Sequence, residues 1–419
     1  MLYITGYRSA LVDLNADNSV LVTRTGVVGA TGPVAISGTT PGNYVYTAGI
    51  VHAVRAVVIS TGATNFSNTV VQVSDTGMLN GVFSGLEITG RNARVFNAGE
   101  ILGGLTGVSF AGTGTGSYSS FTNHGTVYSA DGSAILRGSG STTETLRIRN
   151  TGLIEGERAA LSDNDAVATE IVINRGLIVG DLRFGRGADI FEGRSGTVDG
   201  LIDLGADADI ARPGREAETI QGGSGADILD FFNGAAVVVD LSNGTDGTGR
   251  AAGDVYLGFE TVHGSRGGAD RITGDALANT LRGFGLADTI SGGNGNDRID
   301  GGGGADLLSG GGGNDAFIYA SSAEGGDRIT DFAYVAGNND IFLISASGFG
   351  AGLAPGALSA GRFRARDDNR AQDADDRFVF RTTDKTLWFD RDGNGAAAPV
   401  LIADLQPGAT LTANDILLV

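Results

Sequence analysis

The chain has 419 residues, 71 of them Gly and none Cys, with 48 acidic against 29 basic side chains and a formal charge of −19. Without Cys there is no disulfide framework, no thiolate zinc site and no cysteine nucleophile. The acid excess argues against nucleic acid and anionic membrane as partners and favours cations, while 41% apolar residues suffice for a core.

Residues 1–10 read MLYITGYRSA, with no basic segment leading into an apolar stretch, and no run reaches the ~18 apolar residues of a membrane span. The expectation is no membrane span, in a chain that is cytoplasmic or exported by a route that does not read the N-terminus. Residues 1–50 show no repeat and are expected to form a cap or an extra strand layer.

From about 70 to 180 a loose repeat runs through Asn97-Ala98-Gly99, Asn123-His124-Gly125, Asn150-Thr151-Gly152 and Asn174-Arg175-Gly176, each with Ile or Val two residues after the Gly; Asp75-Thr76-Gly77 reads as a weaker copy. Asn and Gly tolerate positive φ, so each motif is expected to make a tight turn. Short β-branched segments such as Val70–Val73 and Glu170–Ile173 flank the turns, and no helical periodicity competes. A period of ~20–27 residues built from three short strands describes a coil of a parallel β-helix, with Asn stacking into a ladder. A β-sandwich with Asn-Gly turns is the alternative. The segment resembles the passenger repeats of bacterial adhesins and autotransporters, which implies a right-handed parallel β-helix over 1–182, its N-terminal cap included.

The charge then changes. Residues 1–180 hold 12 acids and 10 bases, residues 181–419 hold 36 and 19, and in that second part Asp outnumbers Glu by 31 to 5. So strong a bias to the shorter acid points to carboxylates held close to backbone turns or around a hard cation. From Ser265 to Ile318 the chain divides into six contiguous nonapeptides, including GGNGNDRID, GGGGADLLS and GGGGNDAFI; three more fill Leu204–Asp230, and FGRGADIFE stands alone at Phe184–Glu192. Two nonapeptides make one coil. Asp270, Asp288 and Asp306 are 18 apart and fall on one edge; Asn279, Asp297 and Asp315 fall on the other, and Asp209 and Asp227 repeat the relation.

The candidate ligands follow from this spacing. One turn holds Gly292, Gly293, Asn294, Gly295, Asn296 and Asp297, the next Gly301, Gly302, Gly304 and Asp306, and a third Gly310, Gly311, Gly313 and Asp315. Glycines let successive turns approach and aim carbonyls into the gap, and Asp closes it with carboxylate. About six oxygens of that kind suit Ca²⁺ rather than Zn²⁺ or Mg²⁺. The best sites are expected where the Asp297 turn meets the Asp315 turn and where the Asp288 turn meets the Asp306 turn. Ile228, Ile272, Leu281, Ile290, Ile299, Leu308 and Phe317 are expected to fill a thin core. Turns with Asn279, Glu218 or Asp207 at a conventional ligand or Gly position read as weak sites.

The pattern G-G-x-G-x-D-x-U-x, with U apolar, resembles the RTX calcium-binding repeat. The resemblance extends to a spacer at 231–264, to a closing segment that includes Asp331, and to the C-terminal end. It implies a parallel β-roll over 183–345, with Asp209, Asp227, Asp270 and Asp331 joining the ligands above, and a β-rich C-terminal cap with a secretion-signal region over 346–419. It further implies Ca²⁺ as the bound ion and type I secretion machinery as a partner, reading an uncleaved C-terminal signal near Ile416–Val419. Asp390-Arg391-Asp392-Gly393-Asn394-Gly395 opens like an EF-hand loop but lacks the closing Glu, since position twelve is Leu401; an Asx turn and a lone auxiliary Ca²⁺ are both open.

No catalytic constellation stands out. His52, His124 and His263 are the only histidines, none in H-E-x-x-H, and Gly138-Ser139-Gly140-Ser141 misses G-x-S-x-G. The expected whole is an all-β, non-enzymatic, secreted calcium-binding surface, matrix or adhesion protein. Its roll folds on calcium outside the cell, with self-association or a cell-surface polysaccharide as further partners. The alternative is a polysaccharide lyase or epimerase on the β-helix.

Overall fold

The structure is a computed structural model that describes residues 1–15, 18–61, 68–111, 115–138, 143–163, 167–193, 195–243, 253–335 and 338–419. Ser139–Ser141 and the part of the spacer from Gly244 to 252 lie outside the described residues. The chain forms two compact units, Met1–Asp227 and Ile228–Val419.

The first unit is a parallel β-helix with three strand rows. The first row runs from Leu2–Ile4 through Ser19–Val22, Tyr44–Thr47, Val70–Val73, Arg94–Asn97, Thr115–Asn123, Thr143–Asn150, Glu170–Asn174 and Ile190–Glu192 to Ile210–Arg212, each parallel to the next. The second row begins at Tyr7–Arg8 and reaches Thr197–Asp199; the third begins at Val12–Asp13 and reaches Thr219–Gln221. Alternation explains the strands. Val20 and Val22, Val45, Val71 and Val73, Val95, Phe121, Ile148 and Val172 are buried, and the residues between them face outward. β-Branched side chains suit such a stacked, half-buried surface.

Residues 1–50 are therefore not a cap or an extra layer; the coils start at Leu2. Their periodicity is hidden because the inward column that later holds Asn97, Asn123, Asn150 and Asn174 holds Ile4, Val22, Thr47 and Val73 in the earlier coils. Val73 rather than Asp75 pairs with Asn97, so Asp75 sits in a longer, exposed turn. The turn glycines also act differently from expectation. None of Gly99, Gly125, Gly152 and Gly176 has positive φ. A Cβ on Gly125 would fall 2.0 Å from the Gly99 carbonyl oxygen, and one on Gly152 2.1 Å from that of Gly125. Glycine is needed there for the close approach of stacked coils.

In that column the Asn97 side-chain amide donates to Asn123 Oδ1 at 2.8 Å, Asn123 to Asn150 at 2.8 Å, and Asn150 to Asn174 at 2.9 Å. The remaining amide donors reach carbonyls, among them Leu153, Leu177 and Thr197. A buried guanidinium serves the same unit: Arg137, wholly buried, lies 3.8 Å from Glu144 and 3.6 Å from Glu170.

The second unit is a parallel β-roll with two strand rows. One runs Val238–Asp240, Arg271–Thr273, Thr289–Asn294, Leu307–Gly312 and Asp327–Ile329. The other runs Ile228–Asp230, Thr261–His263, Thr280–Arg282, Arg298–Asp300, Ala316–Tyr319 and Ile341–Ile344. Between them Ile272, Leu281, Ile290, Ile299, Leu308 and Phe317 are fully buried, one per nonapeptide. Leu229, and not Ile228, takes that place in the nonapeptide 222–230, because the inward residue is the second after the Asp.

The C-terminal segment adds a rung to each row: Val400–Leu405 pairs with Asp327–Ile329, and Ile416–Leu418 with Ile341–Ile344. Thr386–Phe389 and Phe378–Arg381 then continue antiparallel, over packed rings of Phe349, Phe378 and Phe389. The open strand edge is thereby covered by the chain's own strands.

Candidate metal centre

Each nonapeptide turn places its sixth residue at the start of a strand, wholly or almost wholly buried. In the roll these form two ladders. On one edge Asp288 Oδ1 accepts the Asp270 N–H at 2.7 Å, Asp306 Oδ1 that of Asp288 at 2.8 Å, and Asp327 Oδ1 that of Asp306 at 2.9 Å. On the other, Asp297 Oδ1 accepts the Asn279 N–H at 2.8 Å, Asp315 Oδ1 that of Asp297 at 2.9 Å, and Asp340 Oδ1 that of Asp315 at 3.1 Å. One oxygen of each carboxylate thus stitches coil to coil. The second, Oδ2 of Asp288, Asp297, Asp306 and Asp315, is buried with no hydrogen-bond partner. A buried ionised oxygen without a donor is costly, so these four ask for a cation or a proton.

The first glycine of each turn makes the room. A Cβ on Gly292 would stand 2.3 Å from Asp297 Oδ2 and 2.5 Å from the Gly310 carbonyl oxygen; on Gly283 it would stand 2.2 Å from Asp288 Oδ2 and 2.7 Å from the Gly301 carbonyl. Gly301 and Gly310 hold the same relation to Asp306 and Asp315. The second and fourth positions set the carbonyl directions. Gly293, Gly295, Gly302, Gly304, Gly311 and Gly313 all have φ between 87° and 151°. The turn before Asp288 forces Phe284 and Leu286 into the same region, at φ 79° and 73°, a strain that Gly would avoid.

Electrostatics agree with the orphaned oxygens. Burial, reinforced by neighbouring carboxylates, pushes Asp288 up to about 7 and Asp297 up to about 6, against the donated N–H bonds. Asp306 and Asp315 are also raised, chiefly by burial. Among the described residues no three His, Asp or Glu side chains converge. The donor set is one carboxylate per turn plus peptide carbonyls, all oxygen, which fits a hard cation of Ca²⁺ size and not Zn²⁺.

The other sequence candidates divide. Asp270 has no orphaned oxygen: Oδ1 accepts from Val237 N–H at 2.8 Å and Oδ2 from Ser265 N–H. Asp331 accepts from Gly310 N–H at 3.0 Å, Gly311 N–H at 2.8 Å and the Ser309 hydroxyl at 2.6 Å, so it closes a turn through both oxygens. Asn296 Oδ1 accepts the Asn314 N–H at 2.8 Å, and Asn294 lies beside Gly312. In the β-helix unit Asp209 and Asp227 continue a ladder that starts at Glu170 and Asp189. There burial lifts Asp189 to about 8 and Asp209 to about 7. Asp189 was visible in the lone nonapeptide at 184–192 but went unnamed as a ligand; Asp327 and Asp340 were missed because their ladder spacing is no longer eighteen residues. Asp392 in the EF-hand-like stretch accepts the Ala397 N–H at 3.0 Å, and Asp390 that of Asp392 at 3.2 Å, which is an Asx turn. His52 and His124 are exposed on the first unit, and His263 lies on the second.

A family model described as the RTX calcium-binding nonapeptide repeat matches residues 214–231 and 282–317, in four copies. No curated protein matches the chain. The matched residues include the turns that carry Asp288, Asp297, Asp306 and Asp315, and RTX nonapeptide repeats bind calcium ions. The matched turns of the roll are RTX calcium-binding repeats, and in this chain they follow a parallel β-helix.

Proposed function

We propose that the chain is an extracellular structural or surface protein in which calcium locks the roll and the β-helix is the part on display. The orphaned Oδ2 atoms of Asp288, Asp297, Asp306 and Asp315 carry this reading; those of Asp288 and Asp297 face the same space as the Gly301 and Gly310 carbonyls of the stacked turns. Calcium is held between the Asp297 and Asp315 turns on one edge and between the Asp288 and Asp306 turns on the other. Carbonyls of Gly292, Gly301 and Gly310 supply further oxygens. A region of one inward aliphatic side chain per nine residues regains only ~1.5–3 kcal/mol of burial for each. Ordering nine residues costs ~1–2 kcal/mol apiece. Bound calcium makes up part of that difference.

Export through a type I channel suits a roll that stays unfolded where calcium is scarce. The change in composition near residue 182 falls inside the β-helix, whose rows run on to Thr219–Gln221, so the roll begins near residue 228, and the segment from 346 caps it. The role is non-catalytic, in a surface layer, matrix or adhesive coat, with self-association of the long strand rows. Calcium titration of the purified chain by calorimetry tests the site assignment. Binding should be saturable and should fall when Asp297 and Asp315 are both replaced by Ala. Unchanged binding in that variant would reject it.

A further inference from the structure

The outer face of the first strand row in the β-helix differs from the rest of this acidic chain. Its outward positions between Val70 and Ile173 are Val70 and Gln72, Arg94 and Phe96, Ser120 and Thr122, Arg147 and Arg149, and Ile171 and Ile173, aligned in register. No carboxylate occupies any of them. His124 and Arg175 follow on the adjoining turns, both exposed. None of Arg94, Arg147, Arg149 and Arg175 has a carboxylate partner among the described residues. Residues 1–180 hold 12 acids and 10 bases, and four of those bases stand on or beside this one face while none of the acids occupies the outward positions named.

The face is also shaped. Thr122, His124, Arg149, Thr151, Ile173 and Arg175 line a hollow of about 390 Å³, and Arg94 borders a second of about 200 Å³ beside Asn68 and Asn92. The Phe96 ring, 37% exposed, packs against His124 with centroids 5.2 Å apart. Arginine takes carboxylate through paired N–H donors. Thr122 offers a hydroxyl, the Thr151 hydroxyl is held by His124 and the Asn123 carbonyl, and Phe96 offers an apolar ring. Successive coils stand about 4.8 Å apart, so the cations recur along the axis at intervals of one or two coils, roughly 5–10 Å. A linear chain of acidic sugars presents carboxylates, hydroxyls and apolar ring faces at a comparable repeat.

We propose that this face binds a carboxylated polysaccharide, with Arg149 and Arg175 holding one uronate in the larger hollow and Arg94 and Arg147 a neighbouring one. A hollow of this size takes one or two sugars and excludes a nucleic-acid duplex. The proposal takes only the extracellular setting from the function proposed above. The calcium account can fail while this binding stands, and the reverse.

The test is calorimetry on the calcium-loaded full chain with hexagalacturonate, short enough not to gel with calcium, and with neutral maltohexaose. Hexagalacturonate should bind saturably and maltohexaose should not. The double variant Arg149→Gln with Arg175→Gln should bind about tenfold more weakly or worse. Arg94→Gln, a separate outward position, should also weaken binding and decides the matter if the double variant loses its far-ultraviolet spectrum. Three results would overturn the proposal: no binding of hexagalacturonate, unchanged binding in the arginine variants, or a DNA oligonucleotide held more tightly through the same arginines. Binding that vanishes with Asp297→Ala but survives the arginine variants would place the sugar on the calcium edge and also refute it.

Discussion

The β-helix and the roll solve the same stacking problem with different side chains. In the β-helix the inward column from Asn97 to Asn174 is made of amides, each donating to the Oδ1 of the next, so that only the oxygen of the first rung, Asn97 Oδ1, is left over. In the roll the column is made of carboxylates, which only accept. Their Oδ1 atoms take the N–H of the coil before, and the Oδ2 atoms are left over. The amide ladder leaves one neutral oxygen at its end; the carboxylate ladder leaves one at every rung and needs a cation or a proton there. Inside the first unit Arg137 is a built-in cation that meets Glu144 and Glu170, where that unit's acid column begins.

The sharpest way to break the comparison is to remove the ladders one at a time. Replacing Asp297 and Asp315 by Ala should cost the calcium-bound roll the linkage energy of the sites on that edge. That is ~2.7 kcal/mol per site at a hundredfold excess over Kd. The gain in thermal stability on adding calcium should shrink in this variant to what the Asp288–Asp306 edge supplies. Asn123→Ala should cost about 1–3 kcal/mol through stranded amide partners, by the same amount with calcium or chelator. A calcium-dependent loss in Asn123→Ala would refute the distinction.

Glycine substitutions sharpen it further. Gly292→Ala puts a methyl 2.3 Å from Asp297 Oδ2, in the space assigned to the ion, and should raise the calcium concentration needed for folding. Gly125→Ala puts one 2.0 Å from the Gly99 carbonyl and should cost about 1–3 kcal/mol at any calcium level. Calcium titrations followed by circular dichroism separate the two.

Protons should substitute for calcium in the roll. Without metal the folded carboxyls hold protons up to about 7 at Asp288 and Asp327 and about 6 at Asp297 and Asp340, chiefly through burial. Unfolded Asp releases its proton near ~3.9. Between those values the folded state binds more protons, so stability falls as pH rises. In chelator the roll should therefore gain structure on acidification from about pH 8 to about pH 5, and lose it again on return. Stability rising with pH in chelator would contradict this. The smallest effect is expected from Leu286→Gly, which relieves φ of 73° at a half-exposed turn residue and should stabilise the roll by up to about 1 kcal/mol.

Much of this was legible in the residues because the nonapeptide is defined by chemistry that leaves a mark at every position. Asp288, Asp297, Asp306 and Asp315 recur at a fixed spacing with glycine at fixed offsets, so both ladders could be drawn before the fold. The limits came from the same source. Asp327 and Asp340 take the next rungs after a change of spacing, and no nonapeptide marks them. The first coils were unreadable because Val22 and Thr47 do inside the helix what Asn does later, and an apolar column carries no motif. Asp270 and Asp331 share the residue type but differ from those four in partners, because both oxygens of each accept hydrogen bonds, from Val237 and Ser265 and from Ser309 to Gly311. Partner geometry of that kind is set by tertiary packing and does not appear in a sequence pattern. The unpaired arginines were visible one by one, but only the register of Arg94, Arg147 and Arg149 shows them on one face.

Trp388, the only tryptophan, lies in the second unit, on the strand Thr386–Phe389 behind the last rungs of the roll. Its fluorescence therefore reports that unit alone, while far-ultraviolet circular dichroism reports the whole chain. The direct test is to follow both signals on the full-length protein at neutral pH as calcium is added to a chelated sample. The account predicts that in chelator Trp388 emits as a solvent-exposed indole while a large part of the β-sheet signal, that of the first unit, is already present. Calcium should then shift the emission to that of a packed indole and add the remaining sheet signal over the same concentration range. A native Trp388 emission in excess chelator, or a sheet signal that appears as a whole only on adding calcium, would contradict it.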